Sequence, residues 1–170
     1  MHRLRPVSRI AIALVEKTDR ILRYPALARI GFTVWMFLHL AGGAFTVDGN
    51  RIYDTMLLAV AGEPYNILKF DQAIHAFCYF VITLFINSVV QRLSRKNSSA
   101  VLEMVVIALA AMGVSALNEV MEFATVGFFG AEGVGGYYNN ALDLVFNLIG
   151  ILAAVAVCAA SRRKPAPEAA

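Results

Sequence analysis

Charged residues are scarce in this sequence, and cysteine is almost absent. Asp, Glu, Lys and Arg together make up 16% of the 170 residues, whereas a soluble domain contains about 25%. Two cysteines, Cys78 and Cys158, provide neither a disulfide framework nor a thiolate metal site. The net charge of +3 is too small to favour a nucleic-acid binder, and the lack of a Gly-x-Ser-x-Gly motif argues against a serine hydrolase.

Apolar residues, in contrast, are abundant. The hydrophobic set accounts for 59% of the chain, and the mean hydropathy is +0.64. A membrane-spanning helix needs about 20 mostly apolar residues to cross a hydrocarbon core of roughly 30 Å. Four segments meet this requirement: residues 26–47, 67–93, 99–126 and 138–160. The sequence therefore predicts an all-α polytopic membrane protein, with a four-helix transmembrane bundle over residues 26–160.

The segments outside the four spans have their own patterns. Residues 1–25 are predicted to form an amphipathic helix on the cytoplasmic membrane surface, with Pro25 at the start of the first span. The apolar face of this helix comprises Val7, Ile10, Ala11, Leu14, Ile21 and Leu22. Residues 51–62 are a candidate for a second interfacial helix, and the Pro/Ala-rich residues 161–170 are predicted to be a disordered cytoplasmic tail.

The distribution of Lys and Arg predicts the orientation of the bundle. Seven of the fifteen lie in residues 1–29, three lie around residues 91–100 and three lie in the C-terminal segment. The two remaining, Arg51 and Lys69, lie in the loop after the first span. Cytoplasmic loops carry the excess of positive residues. We therefore expect a multi-pass protein of the inner (plasma) membrane, with both termini in the cytoplasm and the lipid bilayer as its main partner.

Polar residues inside the predicted spans are the clearest functional signal. An ionisable side chain at mid-membrane costs at least about 2.5 kcal/mol, so each one needs a reason. On the predicted orientation, all four helices place such residues in their extracytoplasmic halves, where a bundle would bring them together. This candidate cluster comprises His39, Asp71, His75, Asn118, Glu119, Glu122, Asp143 and Asn147.

The spacing of these residues supports a shared site. Asp71 and His75 are separated by four positions and so share a helix face. The pairs Asn118/Glu122 and Ser115/Glu119 have the same spacing, as do the successive residues of the stripe Asn139, Asp143 and Asn147. Gly150 follows one turn later, where it would allow a neighbouring helix to approach closely.

Four motifs in these helices resemble those of a known group of membrane proteins. They are LHLAGGAF at residues 38–45, DQAIH at 71–75, NEVMEF at 118–123 and YYNNALDLVFNLIG at 137–150. Together they resemble the YjdF-like family of small inner-membrane proteins and the broader VanZ-like pattern. The resemblance covers about residues 30–155 and implies a membrane protein of four to six spans whose activity is poorly defined.

The residues leave three interpretations of the candidate cluster open. The first is a structural role, in which hydrogen bonds between helices fix their packing and the protein is a non-catalytic accessory or binding subunit. The second is a divalent metal site that acts on a lipid or small solute, because imidazole and carboxylate suit zinc, manganese or iron. Its candidate ligands are His39, His75, Glu119, Glu122 and Asp143. The third is a proton relay or solute pathway, which with only four spans would require a homodimer.

Overall fold

The computed structural model describes residues 6–63, 65–94, 97–129 and 136–162. Its helices are α1 (Pro6–Leu22), α2 (Ala26–Ala44), α3 (Phe70–Leu93), α4 (Ala100–Phe129) and α5 (Tyr137–Arg162). Four of them, α2 to α5, are long and apolar enough to cross a membrane. The chain is thus an all-α polytopic membrane protein, as the composition predicts.

The ends of the membrane helices lie within a few residues of the predicted ends. Pro25 precedes α2 in an extended conformation, and the chain becomes extended again at Phe45. At the start of α4 the Ser99 hydroxyl accepts a hydrogen bond from the Leu102 amide at 3.4 Å. Such a bond satisfies one of the amides that have no partner in the first turn of a helix.

The segment between α2 and α3 forms two β-hairpins, so the predicted interfacial helix at residues 51–62 is wrong. The first hairpin joins β1 (Thr46–Val47) to β2 (Asn50–Arg51), and a 3₁₀ turn (Ile52–Asp54) follows it. The second pairs β3 (Met56–Ala61) with β4 (Ile67–Lys69) in antiparallel register. So short a segment is only marginally helical on its own, and pairing with β4 supplies its backbone hydrogen bonds instead.

Helix α3 lies at the centre of the bundle and contacts α2, α4 and α5. It packs tightly against α5, where a Cβ atom added to Gly150 would overlap the carbonyl oxygen of Ala76. Helix α4 contributes a buried stripe with a spacing of four residues: Ile107, Ala111, Ser115 and Glu119. This stripe is apolar near the start of α4 and polar toward its end.

Two contacts outside the centre tie the helices together. The Arg162 guanidinium donates a hydrogen bond to Glu103 at 2.5 Å, which joins the end of α5 to the start of α4. Arg29 of α2 pairs with Asp19 of α1 at 3.2 Å. The N-terminal segment contains the helix α1, whose apolar Ile10 is 68% exposed, and its amphipathic character stays a prediction. Its position on a membrane surface stays a prediction, and the predicted tail lies outside the described residues beyond Arg162.

Candidate functional site

Seven of the eight residues of the candidate cluster lie together at one end of the bundle. At this end α3 and α5 begin and α4 approaches its last turns. The seven are joined by hydrogen bonds, ion pairs or close ligand-atom distances: Asp71, His75, Asn118, Glu119, Glu122, Asp143 and Asn147. Sequence spacing therefore identified the members of the cluster that α3, α4 and α5 contribute.

His75 is at the centre of this arrangement. Its Nδ1 atom lies 3.2 Å from Asn147 Oδ1 on α5 and 3.5 Å from Glu119 Oε1 on α4. Its Nε2 atom lies on the other side of the ring, 3.9 Å from Asp71 Oδ1 one turn earlier in α3. The imidazole thus has an acceptor or a carboxylate near each of its nitrogens, and it links three helices.

Asn139 connects the two aspartates of the cluster. Its side-chain amide donates to Asp143 Oδ2 at 2.5 Å, within the first turns of α5. The same amide lies 3.4 Å from Asp71 Oδ2 on α3. Each aspartate therefore has its Oδ2 atom bound by Asn139. The Oδ1 atom of Asp71 faces His75 Nε2, whereas the Oδ1 atom of Asp143 remains for another partner.

Both carboxylate oxygens of Glu119 are already hydrogen-bonded. Asn147 Nδ2 donates to Glu119 Oε1 at 3.1 Å and to the Ser115 hydroxyl at 2.9 Å. Asn140 Nδ2 donates to Glu119 Oε2 at 3.3 Å. These bonds hold the side chain of Glu119 between α4 and α5.

Glu122 and Asn118 lie at the edge of the cluster. Asn118 Nδ2 donates to Glu122 Oε1 at 2.7 Å along the same face of α4. Both residues are only partly buried. The predicted spacing of four residues therefore produces a hydrogen bond within α4.

Burial divides the cluster into an inner and an outer part. Asp143 and Asn147 are completely buried and Glu119 is 4% exposed, whereas the side chains of His75 and Asp71 are 14% and 24% exposed. Asp143 Oδ1 is buried and has no hydrogen-bond partner in the described part of the protein. An acceptor buried without a partner is costly, so this oxygen needs an explanation.

Two overlapping groups of side chains have the spacing of a metal site. In each group, one ligand atom from every member lies within 4.8 Å of the others. The first group is Asp71, His75 and Asp143, and the second is His75, Glu119 and Glu122. Because both contain His75, they provide alternative positions for a single ion. One imidazole and two carboxylates form a donor set that suits zinc, manganese or iron.

His39, the eighth predicted residue, belongs to neither group. Its Nδ1 atom lies 2.6 Å from the hydroxyl of Tyr53, which also donates to the His39 carbonyl oxygen at 2.8 Å. Its ring stacks on Trp35 with 5.2 Å between centroids. The structure thus places His39 beside the 3₁₀ turn rather than with the other candidate ligands.

The comparison with known families agrees with this architecture. The family model described as Predicted membrane protein (DUF2238) matches residues 2–164. The chain belongs to this family. The match covers nearly the whole chain. It supports the prediction of a membrane protein, but it does not specifically support the YjdF-like or VanZ-like assignment. No curated protein and no solved structure matches the chain.

Three polar residues of this DUF2238 protein contact the cluster but were not among the members predicted from the sequence. Ser115, Asn139 and Asn140 all bond to cluster members. The signal was available for two of them, because Ser115 precedes Glu119 by four positions and Asn139 precedes Asp143 by four. Asn140 had no such signal, because its bond to Glu119 crosses from α5 to α4.

Gln72 is a further buried polar residue at this end of the bundle, outside the predicted candidate cluster. It is completely buried, and its Oε1 atom accepts hydrogen bonds from the amides of Leu68 at 2.6 Å and Lys69 at 3.1 Å. Leu68 has a φ angle of +76°, which a leucine rarely adopts. Gln72 thus holds the backbone in an uncommon conformation next to the start of α3 and next to Asp71.

Proposed function

We propose that the protein binds one divalent transition-metal ion between Asp71, His75 and Asp143, in the extracytoplasmic half of the membrane. The observation that carries this proposal is the Oδ1 atom of Asp143, which is buried and without a hydrogen-bond donor. The group to which it belongs contains an imidazole and a second carboxylate at ligand spacing. A bound cation would satisfy this oxygen, and buried charges are normally paired or bound to a metal.

The Asp71–His75–Asp143 group fits an ion better than the group containing the two glutamates. Glu119 already uses both its oxygens, in bonds from Asn147 and Asn140. Glu122 uses Oε1 in its bond from Asn118. In the favoured group each aspartate keeps one oxygen outside its bond with Asn139. Two ionised aspartates also balance the two positive charges of the ion.

The bonds around the favoured group resemble the outer shell of a metal site. In such sites a ligating histidine bonds through its other nitrogen, and ligating carboxylates are themselves hydrogen-bonded. Here Asn147 and Glu119 lie near Nδ1 of His75. The other ring nitrogen, Nε2, is on the side of Asp71 and is left to bind the ion. Asn139 orients both aspartates. The ligands are therefore held in place by the fold itself.

The charge distribution along the chain supports an outward-facing site. Thirteen of the fifteen Lys and Arg residues lie on the side predicted to be cytoplasmic, opposite the end of the bundle that holds the cluster. Three protein ligands leave room for water or substrate on the ion. A metal there would supply an activated water for attack on an ester or phosphoester near the outer leaflet.

The test is a titration of the detergent-purified, chelator-treated protein with Zn²⁺ and with Mn²⁺. We expect about one ion per chain, and we expect Asp143→Asn to weaken binding by at least about tenfold. Glu122→Gln is the matched control: it removes a cluster carboxylate outside the favoured group, and binding should be nearly unchanged. If Asp143→Asn bound the ion as tightly as the unmodified protein, the proposal would fail.

A structural role is the second candidate, and Asn147 favours it. This residue bonds to Ser115 and Glu119 on α4 and lies within hydrogen-bond distance of His75 on α3. One side chain thus joins three helices, which is how polar residues fix packing in membranes. If the role is only structural, Asp143→Asn should be neutral or stabilising, because it removes a costly buried charge, and no ion should bind.

A further inference from the structure

A second feature lies directly outside the candidate metal site: a cavity of about 220 Å³ between the starts of α3 and α5. Its lining comprises Tyr65, Asn66, Lys69, Gly136, Tyr137, Tyr138 and Asn139. Tyr65 and Tyr138 make an edge-to-face contact with 5.3 Å between ring centroids. Tyr137 packs against Tyr138 in the same way, at 5.7 Å.

The described lining of this cavity is rich in hydrogen-bond donors and contains no acidic residue. Lys69 contributes an ammonium group, and none of the ion pairs in the described ranges includes it. The side-chain amides of Asn66 and Asn139 also belong to the lining, but they already donate to carboxylates: Asn66 to Glu63, and Asn139 to Asp143 and Asp71. Tyr65, Tyr137 and Tyr138 add three hydroxyl groups to the lining. Such a set suits the several oxygens of a phosphate group, for which lysine is a common partner.

Asn139 joins the cavity to the candidate metal site. It lines the cavity, and its amide also bonds to Asp143 and Asp71. A ligand in the cavity would therefore lie one side chain away from the two aspartates. Without a cation, these carboxylates would repel an anion at so short a distance. A bound divalent ion would balance the charge of the two aspartates and so remove this repulsion.

We propose that this cavity binds a phosphate group, and that a divalent ion at the Asp71–His75–Asp143 group strengthens the binding. Only the second part of this proposal, the strengthening of phosphate binding by the ion, rests on the proposed metal site. The phosphate group can belong to a soluble phosphate compound or to a lipid headgroup, since the cavity lies at the end of the membrane helices. In both cases Lys69 contacts the phosphate, and the phosphate reaches toward the ion across Asn139.

The experiment measures the binding of inorganic phosphate to the purified full-length protein by calorimetry, with and without Zn²⁺. We expect measurable binding that is tightened several-fold by Zn²⁺ and weakened at least about tenfold in Lys69→Met. The control is Lys17→Met, which removes a lysine of α1 far along the chain from the cavity. If Lys69→Met misfolds, Tyr138→Phe provides the same test, because it removes only one hydroxyl. We expect it to weaken phosphate binding less than Lys69→Met does.

Three further results decide the proposal. Phosphate binding that is equal in Lys69→Met, Tyr138→Phe and the unmodified protein would overturn it. A Zn²⁺ titration of folded Lys69→Met tests the metal site alone. Normal Zn²⁺ binding in this variant, together with lost phosphate binding, supports both proposals. If the unmodified protein binds Zn²⁺ but no phosphate, the phosphate proposal is overturned and the metal proposal is not. Displacement of phosphate by nanodiscs containing phosphatidic acid, but not by phosphatidylcholine nanodiscs, would assign the group to a lipid headgroup.

Discussion

Asn139 is the residue on which both aspartates of the proposed metal site depend. Its amide contacts Asp143 at 2.5 Å and Asp71 at 3.4 Å, and no single other residue of the described chain is shown to bond to both. We expect Asn139→Ala to lower the affinity for Zn²⁺ about 10- to 100-fold, as is typical for the loss of an outer-shell partner. Calorimetric titration of the purified variant measures this effect.

The matched control for this prediction is Asn140→Ala, one position later in α5. Asn140 bonds to Glu119 rather than to the aspartates. Its loss should leave the affinity for Zn²⁺ nearly unchanged if the ion lies between Asp71, His75 and Asp143. A larger loss of affinity in Asn140→Ala than in Asn139→Ala would instead place the ion with the glutamates.

His39 provides a second prediction at the residue scale. Its described partners are the Tyr53 hydroxyl and the Trp35 ring, and it belongs to neither group of candidate ligands. We therefore expect His39→Ala to retain Zn²⁺ binding, whereas His75→Ala should abolish it. Elemental analysis of the two variants after gel filtration checks the difference. Equal loss of the metal in both variants would contradict the ligand set proposed here.

The site was predictable from sequence where its residues follow helical spacing within one helix. Asp71 and His75 share a face of α3 because they are four positions apart, and their side chains meet as expected. The place of His39 depends on how α2 is rotated about its axis and on what packs beside it. Tyr53, from a segment predicted to be helical, occupies that position, and no local pattern in α2 indicates it.

At the scale of elements, the four membrane helices were predictable because their length and hydropathy are local properties. The predicted span of residues 67–93 corresponds to Phe70–Leu93, and that of 138–160 corresponds to Tyr137–Arg162. The first hairpin also has a local signal, the Asp48-Gly49 pair, whose positive φ angles of +52° and +82° suit its turn. The second hairpin depends on pairing with residues 67–69. The apolar run that contains Leu57 and Leu58 does not by itself predict this pairing.

Gly150 tests the close packing of α5 on α3. An added Cβ atom would overlap the Ala76 backbone, which cannot move aside as a flexible side chain can. We expect Gly150→Ala to destabilise the folded protein by about 1–3 kcal/mol, in the range typical of overpacking. Thermal unfolding in detergent measures the change in stability.

Gly113→Ala is the matched control for this substitution. Gly113 lies in the middle of α4, and a Cβ atom added there meets nothing within 4 Å. Alanine should be neutral or should stabilise the helix by up to about 1 kcal/mol. If Gly150→Ala behaved in the same way as Gly113→Ala, the close α3–α5 contact described here would be incorrect.

At the scale of the whole molecule, the four candidate spans predict that both ends of the chain lie on one side of the membrane. The excess of Lys and Arg in residues 1–29, around residues 91–100 and beyond residue 161 predicts that this side is the cytoplasm. A reporter that is active only in the cytoplasm, fused after Ala170, should be active. The same reporter inserted in the segment between α2 and α3 should be inactive, and the reverse pattern would contradict the orientation.

The convergence of the polar residues is also a property of the whole molecule. Hydropathy predicts that each helix places its polar residues near one end, but their contacts depend on which helices are neighbours. Here α3 packs against both α4 and α5, so His75 reaches Glu119 and Asn147. Because of this arrangement, the polar residues of α3, α4 and α5 form one cluster, whereas His39 of α2 lies apart from them.

The proposed metal site is tested most directly by the X-ray absorption spectrum of the purified, Zn²⁺-loaded protein. The account predicts nitrogen and oxygen ligands at about 2.0–2.2 Å, no sulfur, and the signature of a single imidazole. That signature should disappear in His75→Ala and persist in His39→Ala. A spectrum that lacks imidazole, or an imidazole signal that survives in His75→Ala, would contradict a metal ion bound by Asp71, His75 and Asp143.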